Sequence, residues 1–141
     1  MQSKSYWSAV GAYVFCTFLI AAPWHLVLFK SVYDELAIFT RSEPIIPLGL
    51  LSMLIQGLVL SYLYPFFSQG THSVKTGAMF GLLMGVLLAS SAVIAEAAKQ
   101  NVTSLPTWLV LETVYYLLQF SVVGAVMGAI YAKGDPAHDL R

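Results

Sequence analysis

Charge is scarce in this sequence. Asp, Glu, Lys and Arg make up 10% of its 141 residues, against roughly 25% in a soluble globular domain. A chain this poor in charge cannot cover a water-facing surface, so lipid is its expected solvent. The few charges also balance, with seven Lys plus Arg and seven Asp plus Glu. That balance leaves no basic face for a nucleic acid. Cysteine is nearly absent too. Cys16 stands alone, which excludes an intramolecular disulfide, a CxxC redox pair and a cysteine-built zinc site. It lies in the apolar run Tyr13-Val-Phe-Cys16-Thr-Phe-Leu, where a thiol behaves as a small hydrophobe. Catalytic signatures are missing as well. There is no GxSxG, no HExxH and no phosphate-cradling glycine loop followed by Lys-Ser/Thr.

What is present is apolar length. Hydrophobic residues make up 58% of the chain, and its mean hydropathy is +0.75. Four segments are long enough to cross a hydrocarbon core, at about 6–29, 45–67, 77–97 and 108–132. The expected fold is all-α: one transmembrane domain over 1–141, an up-down bundle of four helices with short loops and both termini on one side. In the first span, Pro23 is expected to kink the helix or end its regular part. Tyr6, Trp7 and Trp24 suit the two interfacial belts. The run from Lys30 to Pro44 is the most charged part of the chain. Val32, Tyr33, Leu36 and Phe39 there fall at helical spacing, which fits a short helix lying in the interface. An ordinary polar loop is the alternative.

The third span carries the most regular pattern. Gly77, Gly81, Gly85 and Ala89 recur every four residues and form one smooth strip along a helix. The fourth span carries a second strip, Ser121, Gly124, Gly128 and Ala132. Such strips let two backbones approach closely where no water drives helices together. They read first as packing inside the bundle, and second as a face for a homodimer or a larger membrane complex.

Intramembrane ionisable groups are functional candidates by default. Alternating topology puts His25, Glu96 and Glu112 toward the side opposite the termini. Gln56 and Gln119 lie deeper. Glu112, Tyr115, Tyr116 and Gln119 share a face of the fourth helix, about 120° from its small-residue strip. One histidine and two carboxylates suit a divalent metal or a proton-linked site for a small ligand. A plainer reading exists for each. Glu96 pairs with Lys99 three residues on, His25 is an interfacial residue, Glu112 pairs with Arg41 or Lys99, and the glutamines join helices. His72 and His138 fall in expected loops without an assigned role.

The run Trp24-His25-Leu-Val-Leu28-Phe29-Lys30, the Gln56-bearing second helix and the glycine-rich later helices resemble a group of small four-helix bacterial membrane proteins known only as domains of unknown function. His25 stands where that pattern has Tyr. The resemblance implies a bacterial inner-membrane protein and supplies no activity, cofactor or functional residue. Small multidrug transporters place a carboxylate in the first helix, and this one has none. Membrane glutathione-transferase-like proteins carry charge in the second helix, and this one is uncharged. Lys4, Lys75, Lys133 and Arg141 lie on the side of the termini, and Lys30, Arg41 and Lys99 on the other. Four against three biases the termini toward the cytoplasm. The leading functional expectation is a non-enzymatic structural or accessory subunit, as a homo-oligomer or part of a larger membrane complex. A small oligomeric transporter, channel or ligand-binding protein using the polar cluster is the other.

Overall fold

The computed structural model describes residues 2–38, 41 and 43–134. Arg141, His138 and Phe39, which entered the readings above, lie outside them. All the described regular structure is helical. α1 covers Gln2–Pro23 and continues as a π-helical turn, Trp24–Leu28. α2 is Lys30–Leu36, α3 is Ile46–Ser68, α4 is Val74–Ala89 with a second π-helical turn at Ser90–Ala95, and α5 is Leu105–Lys133. Four of these helices are long and apolar enough to cross a membrane, and the chain reads as an integral membrane protein.

The helix starts have local causes. α4 begins before its glycine strip because Ser73 caps it, its hydroxyl accepting from the Thr76 N–H at 3.0 Å. That satisfies one of the donors a helix N-terminus leaves open. α3 and α5 start with Pro47 and Pro106 in their first turns, where a missing N–H costs nothing. Between α3 and α4 the chain reverses through Gln69 and Gly70, both at positive φ. Past Pro23 the first span does change its regular winding: Phe29 N–H reaches back to the Trp24 carbonyl, one residue further than in an α-helix. The first half of the charged run after it, Lys30–Leu36, forms a short helix, and the described residues beyond it to Pro44 are not helical. Tyr33 and Leu36 of α2 are buried, and Lys30 pairs with Asp34 on its outer face at 2.6 Å.

α4 and α5 make the tightest contact in the bundle, and the two glycine strips make it. A Cβ placed on Gly77 would lie 2.8 Å from Gly128 Cα, and one on Gly124 would lie 2.8 Å from Gly81 Cα. Neither backbone has room for a side chain. Ala89 leaves this seam and packs with Tyr33, Leu36, Val93 and Trp108 in a small cluster under α2. The larger cluster joins α1, α3, α4 and α5 through Tyr13, Tyr64, Phe80, Phe120 and Tyr131. α1 lies against α5 on one side and α3 on the other. The two described ends meet: a Cβ on Gly134 would lie 3.3 Å from Ser5 Cβ. Outside, large apolar side chains such as Phe15, Leu48 and Val27 are exposed, Val27 by 73%. Hydrocarbon suits such a surface.

Candidate functional site

The end of the bundle opposite the termini holds a chain of polar contacts. The Trp24 indole donates to the Tyr33 hydroxyl at 3.1 Å. The Tyr33 hydroxyl donates to Glu112 Oε1. His25 Nε2 stands 3.4 Å from the same oxygen, and its ring stacks on Tyr33 and meets Tyr115 edge-on. The Glu112 residue is 4% exposed. Two neighbouring segments and one distant in sequence supply this cluster: the π-helical turn after Pro23, α2 just beyond it, and the second turn of α5.

His25 Nδ1 lies 3.0 Å from the Ala21 carbonyl. A carbonyl only accepts, so Nδ1 carries a hydrogen, and Nε2 is the ring nitrogen turned toward Glu112. Tyr33 is an obligate donor here. Burial first, and then the neighbouring Glu112, push its hydroxyl well above the usual tyrosine range.

The Tyr33 and His25 contacts of the Glu112 carboxylate both fall on Oε1. Glu112 lines a cleft of about 350 Å³, together with His25, the rings of Trp108, Tyr115 and Tyr116, and a rim of Glu96 and Gln100. Both π-helical turns border this cleft, one through His25 and the other through Ala92. Such turns recur at functional sites because they displace a side chain from the helical register. The loop after α4 is pinned above, where the Thr103 N–H donates to the Leu36 carbonyl at 3.2 Å.

The sequence candidates divide accordingly. His25 and Glu112 meet. Glu96 stands at the rim, held by Lys99 at 2.9 Å and by the Gln100 amide at 2.9 Å. Those contacts, Lys99 first, hold its carboxyl below the ordinary glutamate value. Glu112 pairs with neither Arg41 nor Lys99 as the plainer reading had it, but with His25 and Tyr33. Gln56 accepts from the Tyr13 hydroxyl at 2.6 Å and joins α1 to α3. Gln119 is buried beside the same tyrosine, its Oε1 without a partner. The two glutamines form a separate polar layer deeper in the bundle. Among the described residues no group of three His, Cys, Asp or Glu comes together as a metal site would need.

Tyr33 and Trp24 were not read as site residues. Tyr33 counted only as one apolar position of an interfacial helix. His72, given no role, lines a second cleft at the other end with Tyr6, Ser61 and Tyr131, and shares a hydrogen bond with Ser68 at 3.0 Å. No family model matches this chain, and neither a curated protein nor a solved structure shows significant similarity to it. The chemistry of the cleft carries the functional reading alone.

Proposed function

We propose that this chain is a small integral membrane protein that binds a small polar ligand in the cleft beneath α2, with Glu112 as the group that meets it. The observation that carries this reading is the Glu112 carboxyl, buried at 4% exposure beside Tyr33 and His25 in the lining of an aromatic-walled cleft. Keeping a carboxyl inside a membrane costs a few kcal/mol, about 2.5–3.5 on insertion scales. Packing alone is served better by an apolar residue. In the same proposal the protein resides in a bacterial inner membrane, with cytoplasmic termini, on the strength of the Trp24–Lys30 run and the bias in Lys and Arg.

A structural or accessory subunit is the second reading. Its first motive, the pair of small-residue strips, is taken up inside the chain, where the strips face each other. What supports it now is the first half of α3, over which residues 46–55 are exposed apart from the half-buried Met53. A partner helix, or a second copy, would fit there. Native mass spectrometry after gentle extraction from the host membrane separates the two. A small molecule retained by the wild type and absent from Glu112→Gln supports the ligand reading. A stoichiometric larger assembly without such a molecule overturns it in favour of the subunit.

A further inference from the structure

We propose a site for a bound water molecule inside the bundle, held between α1 and α5 by Thr17 Oγ1 and Gln119 Oε1 beside the Tyr13 hydroxyl. It stands whether or not the Glu112 cleft takes a ligand. Thr17 and Gln119 are each 3% exposed. Neither Thr17 Oγ1 nor Gln119 Oε1 has a hydrogen-bond partner among the described residues. Lipid tails cannot supply one, and nearly every buried polar atom in a protein is paired. The two atoms belong to different helices and converge on one side chain. Thr17 follows Tyr13 by one turn of α1. Gln119 stands beside the same tyrosine from α5, along the seam where α1 and α5 pack.

The chemistry of the place selects water. Gln119 Oε1 only accepts, and the Thr17 hydroxyl both donates and accepts. Tyr13 gives its one hydroxyl hydrogen to Gln56 Oε1 at 2.6 Å, so its oxygen is left as an acceptor. A guest must therefore donate to Gln119 and also meet a hydroxyl. Water does both, and buried waters make about three hydrogen bonds each, the number of side chains that converge here. Tyr13, Thr17, Gln56 and Gln119 are all uncharged types, so the layer offers nothing to compensate a bound ion in low dielectric. Position gives the way in. Thr17 is eight residues before His25, and Gln119 is seven after Glu112. At the helical rise, the water lies about 10–12 Å inside the His25–Glu112 contact. Tyr116, between the two levels on α5, lines the cleft. Toward the other end, Leu60, Phe80, Val123 and Met127 close the core with apolar side chains. The polar seam thus runs from the cleft to the middle of the bundle and stops there, and the water marks its inner end.

The test is X-ray radiolysis of the full chain in lipid nanodiscs, with side-chain oxidation read by mass spectrometry. Hydroxyl radicals made from a bound water oxidise the side chains that it touches. Tyr13 is 1% exposed, and Phe80 and Phe120 are 3% and 2%, so burial alone treats the three alike. The expected result is oxidation of Tyr13 well above that of the two phenylalanines. Thr17→Val combined with Gln119→Leu removes both holding atoms and brings Tyr13 down to their level. Thr17→Ser keeps the hydroxyl and keeps the labelling. Should the double variant fail to fold, the wild-type ratio and Thr17→Ser still decide. Tyr13 oxidised no faster than Phe80 and Phe120 in the wild type overturns the proposal. Labelling that survives the double variant overturns it too, since the water then sits elsewhere. Labelling lost in Thr17→Ser also overturns it, because packing rather than the hydroxyl would then hold the water.

Discussion

At the scale of single residues, the contrast between Glu112 and Gln56 is informative, because both are polar and both lie within helices. Gln56 accepts from Tyr13 and donates to Ser52 at a half-buried place between α1 and α3. Glu112 serves Tyr33 and His25 in a buried place. Glu112→Leu removes the acceptor of the Tyr33 hydroxyl, and losing a hydrogen bond to a carboxylate costs about 1.5–3 kcal/mol. Gln56→Leu should cost nearer about 0.6 kcal/mol, the average for a hydrogen bond between transmembrane helices. Glu112→Gln should fall between wild type and Glu112→Leu, since an amide oxygen still accepts from Tyr33. Thermal unfolding in one detergent, followed by near-ultraviolet dichroism, ranks the three. If Gln56→Leu proves the most damaging, the polar weight of the structure lies in the deeper layer instead.

At the scale of elements, the seam between α4 and α5 decides more than any side chain. Gly77, Gly81 and Gly124 each have partner backbone where a Cβ would go. Gly77→Ala or Gly81→Ala must push the two helices apart, and overpacking of this kind costs typically about 1–3 kcal/mol. Gly49→Ala is the control. It has nothing within 4 Å, and alanine in a helix is favoured over glycine by about 0.5–1 kcal/mol. Melting temperatures should drop for the first two and hold or rise for the third. These strips were legible in the sequence because a period of four on a helix is a purely local pattern. The helices were legible for a similar reason, since lipid demands a minimum apolar length. The starts of α4 and α5 were placed three residues late, because the Ser73 cap and the first-turn Pro106 extend those helices beyond their apolar runs. The break after Pro23 was legible from the proline, but the π-helical turn at Ser90–Ala95, where the Val93 carbonyl accepts from the Trp108 indole, was not. Nor was the Tyr33–Glu112 contact, which joins residues 79 apart in sequence.

At the scale of the whole molecule, the ends of the bundle differ in kind, and orientation assigns each a side of the membrane. Ser5 and Gly134 meet at one end, beside the His72 cleft. The other end carries α2, the pinned loop and the Glu112 cleft. Single cysteines in a Cys16→Ser background can separate these ends by labelling with a membrane-impermeant maleimide. Lys4→Cys and Lys133→Cys should behave alike, and so should Lys30→Cys and Lys99→Cys, because each pair of positions shares an end. If the termini are cytoplasmic, only the second pair labels in intact cells, and the first pair appears after permeabilisation. The Glu112 cleft then faces outward. Mixed labelling within a pair would overturn the four-span topology itself. Labelling of the first pair alone would keep the topology, invert the molecule, and turn the cleft toward the cytoplasm.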